Sequence, residues 1–222
     1  MERLSHYSKI LKERNAALKE MKIDETYIEV LTQQLIDDQI HLIPLKKAFI
    51  QNLSKHMCEI YPRLALQQHV VSMDYVGPLE SEINLKEELN QKYRKSLDRD
   101  RSFKMTHVGI HRDDIVLKLD DKNVMDIASQ GQRRMVVIAL KCALVEVVEE
   151  ITRERPILLL DDVFSELDAK RRQALFEVLE GHTQTFISTT DLDDIQVWLK
   201  DKVDIYEVKN GTICERRSSN EH

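Results

Sequence analysis

Up to about Arg63 the apolar positions recur at three- and four-residue intervals, and no glycine interrupts them before Gly77, a pattern that predicts helices. Residues 2–21 form a first element, and Asp24 is the expected N-cap of a second that runs through Leu31, Leu35, Leu42 and Leu45. Pro44 lacks a backbone N–H and is expected to kink or break that second helix. Together these read as an antiparallel helical arm bounded by Tyr61-Pro62. The alternation over residues 70–76, ended by Gly77-Pro78, predicts a strand and a turn, and residue 85 to about Leu97 another helix.

From His107 the pattern turns α/β. Residues 115–119 predict a strand and Lys122-Asn123 a turn, after which Ser129 opens a helix with an apolar stripe through Val136, Leu140, Ala143, Leu144, Val147 and Ile151. Residues 157–160 read as a strand covered on both faces, 169–179 as a helix, 185–188 as a strand and 192–199 as a short helix. Residues 203–208 and 212–215, joined by Asn210-Gly211, predict a hairpin. The expected organisation is a helical arm with a small α+β portion over residues 1–104 and an α/β lobe over 105–222, without internal repeats or low-complexity segments.

Composition narrows the class. A length of 222 residues fits one or two domains, and no apolar run is long enough to span a membrane or to open the chain as a signal peptide. Cys58, Cys142 and Cys214 are odd in number and far apart, which gives neither a disulfide framework nor a zinc pattern and suits a reducing cytoplasm. A net charge of −6 argues against nonspecific coating of DNA, so a DNA contact must come from a local patch or from a segment outside the chain.

The chemistry gathers around two acids. Asp161 and Asp162 end the apolar run 157–160, and the crevice at the carboxyl end of such a strand is where ligands sit in open α/β sheets. Asp161 could hold a Mg²⁺ ion that bridges nucleotide phosphates, since Mg²⁺ takes one or two hard oxygen ligands from protein. Asp162 could then polarise a water; alternatively both acids merely cap and solvate the strand end. In Ser129-Gln130-Gly131-Gln132, Ser129 and Gln132 have capping-box spacing, and Gly131 leaves the first turn open for a phosphate at the positive end of the helix dipole. An ordinary helix start is the other reading. The glycines Gly77, Gly109, Gly131, Gly181 and Gly211 lie too far apart to write a phosphate-cradling Walker A loop.

Two further motifs carry less. His111-Arg112-Asp113 looks like a kinase catalytic loop, but Lys118 stands where that loop needs asparagine. His107 and His111, four apart, could share a metal on a helix, yet Gly109 lies between them and no third ligand is evident. A hydrogen-bonded loop that braces the sheet and a functional element remain open for residues 111–113.

In this order and spacing the motifs resemble the C-terminal half of an ABC-type ATPase head: signature at 128–134, Walker B at 156–162, D-loop at 163–172, then Gln184-Thr185-Phe186 and Thr189-Thr190-Asp191. Among such proteins the chain is similar to the RecF family of bacterial DNA replication and repair proteins. Residues 109–114 look like that family's Gly-Pro-His-Arg-Asp-Asp element, with Ile110 in place of proline, and residues 11–18 like its Leu-Lys-Gln-Arg-Asn-Ala-Leu-Leu helix. Arg101-Ser102-Phe103 replaces a more glycine-containing turn, Asp162 stands where most ABC ATPases use glutamate, and Thr190 stands near their switch histidine.

The resemblance implies an ATP-dependent homodimer that clamps single- and double-stranded DNA at gaps and junctions, and works with RecO and RecR to load RecA. Its nucleotide contacts would fall on Ser129, Gln130, Gly131 and Gln132, acting in trans, and on Asp168, coupling the two sites; Asp161 would bind Mg²⁺ and Asp162 would be catalytic. Without a Walker A loop the chain alone is expected to be inactive. The alternative is a non-enzymatic arm and lobe that pairs with a separate ATP-binding partner as a DNA-repair scaffold. A transporter subunit is disfavoured by the helix-rich residues before the signature. Lys46, Lys47, Arg94, Lys95, Arg99 and Arg101 are left as a solvated face or a DNA contact.

Overall fold

The computed structural model describes residues 2–79, 84–164, 167–179, 184–190 and 204–216. They fall into two compact units, one made of residues 1–58 and 70–128, the other of 59–69 and 129–222. Among the described residues no helix is long and apolar enough to cross a membrane.

In the first unit, α1 (Glu2–Ala17) buries Tyr7, Ile10 and Arg14, one face at helical spacing. The side chain of Asp24 caps α2 (Glu25–Ala65) by accepting from the N–H of Tyr27 at 3.1 Å. Of the kink or break expected at Pro44 the break does not occur, and the helix is continuous for 41 residues. The missing hydrogen bond is offset because apolar side chains are buried on both sides of it, with Ile36, Ile43, Ile50 and Met57 at 0–3% exposure and seven-residue spacing. The predicted Leu31 and Leu35 are buried with that row and Leu42 is partly buried against the same core, whereas Leu45 is 65% exposed. Nor does Pro62 end the helix, which runs on to Ala65.

The unit's core joins Tyr7 and Ile10 to Leu31, Leu35, Ile36 and Ile43 of α2, with Leu89 and Tyr93 of α3 (Leu85–Phe103) and Ile110. Helix α3 runs six residues beyond the predicted end, since Asp100, in the charged run that reads as solvated, is fully buried against Arg14. Strand β1 (Val71–Val76) pairs antiparallel with β2 (Asp114–Leu119), from Val71 opposite Leu119 to Val76 opposite Asp114. The turn after β2 is Asp120-Asp121, both at positive φ (49° and 64°), while Lys122-Asn123, expected to be the turn, pairs back as β3. Aspartate tolerates the left-handed region, so two adjacent ones serve as a tight hairpin turn. Helix α4 (Val124–Ile127) follows.

The second unit is built on α5 (Gln130–Thr152) and a β–α–β element: β4 (Leu158–Asp161), α6 (Ala169–Leu179) and β5 (Thr185–Ser188), the strands parallel with Leu158 opposite Thr185 and Asp161 opposite Ser188. The predicted stripe of α5 is correct at Val136, Ala143 and Val147, but Leu144 and Ile151 are 41% and 66% exposed whereas Ile138, Cys142 and Val145 are buried. Apolar residues on nearly every side of this helix leave periodicity unable to choose the face. Strand β4 likewise alternates, Leu158 and Leu160 buried, Leu159 67% exposed, where cover on both faces was expected. Strands β6 (Ile205–Lys209) and β7 (Thr212–Arg216) form the predicted hairpin through Asn210 and Gly211, both at positive φ (49° and 76°). The predicted helix at 192–199 lies outside the described residues. The fold class is α/β, as expected.

Candidate nucleotide-binding site

Two elements of the second unit carry the residues singled out from sequence. Ser129 is the N-cap of α5: its hydroxyl accepts from the N–H of Gln132 at 3.2 Å, and the Gln132 amide oxygen accepts from the N–H of Ser129 at 2.9 Å. This reciprocal capping box satisfies two backbone donors. The N–H groups of Gln130 and Gly131 find no acceptor among the described residues, so the helix start presents two free donors at its positive end. A Cβ added at Gly131 would meet nothing within 4 Å. Packing among the described residues therefore does not call for glycine here, although glycine costs a helix about 1 kcal/mol relative to alanine.

At the other element, Asp161 ends β4 and its Oδ1 accepts a hydrogen bond from the Ser188 hydroxyl, directly across the parallel pair. Asp162 leaves the strand with φ 46°, and its N–H reaches both Ser188 O (3.2 Å) and Ser188 Oγ (3.1 Å). Both carboxylates are exposed. Ser188 was missed in the sequence because its partnership depends on strand register, which no local pattern encodes. Asp168 is the N-cap of α6, with Oδ1 accepting from the Arg171 N–H (2.9 Å) and Oδ2 pairing with the Arg171 guanidinium (3.0 Å). Arg172 Nε donates to the carbonyls of Phe164 (3.1 Å) and Leu167 (2.8 Å), while Phe164 stacks on Phe176.

The donor set suits a phosphate-bound Mg²⁺. One carboxylate, oriented by a neighbouring hydroxyl at a strand end, is the kind of hard oxygen ligand this ion takes from protein. Free helix N-terminal N–H groups suit a phosphate oxygen.

Residues 111–113, which the sequence leaves open between a brace and a functional element, lie with His107 in a hydrogen-bonded loop of the first unit. His111 Nε2 donates to the carbonyl of Thr106 (3.0 Å) and Nδ1 accepts from the Tyr7 hydroxyl (2.7 Å), while His107 Nδ1 meets Asp100 Oδ1 at 2.9 Å. Both ring nitrogens of His111 are thus engaged within the loop, and no cluster of three metal-ligating side chains occurs among the described residues. Buried Asp113 takes Lys46 Nζ at 2.9 Å and the Tyr75 hydroxyl. Arg14, fully buried, pairs with Asp100 at 2.9 Å and donates to Thr106 (2.6 Å) and Thr32 (2.9 Å). Burial raises the Tyr7 and Tyr75 phenols well above their ordinary pKa and pushes Tyr93 up to about 12, so all three remain neutral. Gly109 is required: at φ 133°, a Cβ would fall 2.5 Å from the Tyr7 hydroxyl.

No family model matches the chain. DNA replication and repair proteins RecF do: that of Ligilactobacillus salivarius is 34% identical over 97% of the chain, that of Streptococcus suis 38% over 96%, and that of Lactococcus lactis subsp. cremoris 39% over 93%. The chain spans between 56% and 59% of the length of these relatives. Among solved structures, the recombination mediator RecF with ATP is similar at TM-score 0.81 and 28% identity, over 96% of this chain and 58% of that one. RecF with ATPrS gives 0.80 and 27%, over 96% and 57%. The similarity in sequence and in fold runs over almost the whole of this chain, and it supports the reading of the chain as part of a RecF-family protein.

Proposed function

We propose that this chain is the C-terminal part of a cytoplasmic, RecF-like recombination-mediator ATPase that dimerises on ATP, engages DNA at gaps and single-strand/double-strand junctions, and acts with RecO and RecR in loading RecA. The observation that carries this reading is the delivery of Asp161, Asp162 and Ser188 to one end of a parallel strand pair. Asp161 would hold Mg²⁺, oriented by Ser188, and Asp162, turned out of the strand by its left-handed backbone, would orient the attacking water. The metal supplies neutralisation of phosphate charge. The capped start of α5, with free N–H groups at Gln130 and Gly131, would meet the γ-phosphate of nucleotide held by the other subunit, and Asp168 would lie at the junction of the two sites.

The exposed apolar residues Ile157, Leu159 and Phe186, the last two paired across β4 and β5, support the view that this strand pair is part of a larger sheet.

The test uses a polypeptide that joins this chain to a phosphate-loop half. Asp161→Asn should weaken Mg·ATP binding, whereas Asp162→Asn should keep the nucleotide and prolong the ATP-bound dimer. Ser129→Arg should leave monomer ATP binding intact and abolish ATP-driven dimerisation in sedimentation. Single-turnover hydrolysis by Asp162→Asn at the wild-type rate would remove that residue's role, and normal dimerisation of Ser129→Arg the trans contact.

A further inference from the structure

The surface at the C-terminal end of α3 gathers unpaired cations round an exposed aromatic ring. Phe103 is 65% exposed, with the Arg99 guanidinium 6.0 Å from its ring centroid and the His107 ring edge-on at 5.5 Å. Met105, 38% exposed, receives the Arg112 guanidinium at 3.7 Å from its sulfur. Lys104 stands between them, exposed, at φ 54°, a helix C-cap position that glycine adopts more easily. Among the described residues Arg99, Lys104 and Arg112 have no carboxylate partner, whereas nearby Arg101 is tied to Glu25 and Asp98.

The patch is also preorganised from below. Asp100, fully buried, takes the N–H of His107 at 3.0 Å, its ring Nδ1 at 2.9 Å and the Arg14 guanidinium at 2.9 Å. Asn15 Oδ1 accepts from both the N–H (2.8 Å) and the hydroxyl (2.7 Å) of Thr106. The loop after α3 is thus fixed to the helix, and a ligand would not have to order it.

We propose that this surface binds single-stranded nucleic acid, one base stacking on Phe103 and the flanking phosphates lying against Arg99, Lys104 and Arg112. A single strand offers both a π-face and a phosphate at every step, the pair of features this patch matches. A duplex hides its π-faces, and an acidic peptide supplies charge without them. The inference rests on the reading that the chain acts on DNA, but concerns a site of its own, independent of nucleotide.

The experiment is fluorescence anisotropy of this chain with a labelled twenty-nucleotide oligo-dT, with a duplex of equal length and with oligo-glutamate, without ATP. Tighter binding to oligo-dT than to either competitor is expected. Phe103→Ala should weaken it about tenfold with the salt slope unchanged, and Phe103→Trp should keep it. Lys104→Ala and Arg112→Ala should each reduce the slope of log K against log salt by about 0.7, while Lys9→Ala, on α1, should change nothing. Unaltered melting temperatures would show that the exposed-site variants fold. Wild-type affinity in Phe103→Ala would overturn the site yet leave the proposed function standing, as would preference for oligo-glutamate, which points to a protein partner. Absence of oligo-dT binding by the wild-type chain would also overturn it. Oligo-dT binding that depends on Phe103, together with failure of ATP-driven dimerisation in the joined polypeptide, would spare this site and sink that function.

Discussion

Gly109 shows how much one residue without a side chain can decide. Its backbone, at φ 133°, lets Tyr7, Gln39 and Tyr93 close over the loop, and a methyl group there would lie 2.5–3.0 Å from all three side-chain oxygens. Gly109→Ala is expected to cost about 3 kcal/mol or more, read as a lowered urea midpoint. The same loop makes stability depend on pH. Burial lowers the His111 pKa below its ordinary 6.5, reinforced by Arg112 and opposed by the Thr106 carbonyl, Asp113 and Asp100. As pH falls, the unfolded chain takes up the proton first, so the contribution of neutral His111 is present above pH 6.5 and is lost as pH drops through the lower folded value. Protonation also removes the lone pair that accepts from Tyr7. Comparing urea midpoints at pH 7.5 and 5.5, the wild-type chain should lose more stability than His111→Gln; equal losses would assign the pH response to other groups.

Among elements, α5 is the one whose start is set by a few adjacent residues. Removing the cap with Ser129→Ala should cost about 1 kcal/mol, a fall of about 2–4 °C in melting temperature. A fall below 1 °C would mean that packing along the buried face holds the first turn without its cap. What could be read in the sequence follows the same division between local and distant causes. The capping box, the Asp24 cap, the Asn210-Gly211 hairpin and the bounds of α6 and β5 depend on neighbours within a few positions, and all stand as expected. Pro44, the last turns of α3 and the orientation of α5 were decided by side chains far along the chain, among them Arg14 reaching Asp100. The Asp161–Ser188 contact belongs to the second kind: the acid was legible as the end of an apolar run, its hydroxyl partner only from the strand register.

At the scale of the whole molecule, the helix start and strand end are both present, but none of the five glycines belongs to a loop with the lysine and backbone cradle for β- and γ-phosphates. Calorimetric titration of this chain with ATP and Mg²⁺ should therefore register no micromolar binding; such binding would reveal a phosphate site elsewhere in these residues. The division into units has a consequence for dissection. The backbone leaves the first unit within α2 at Cys58, returns at Val70 and leaves again at Ala128, and the first of these crossings lies inside unbroken helix. A protease meets hydrogen-bonded backbone there rather than an exposed loop tip, and no single cut frees either unit, so limited digestion should nick the chain without splitting it into two separately folding pieces.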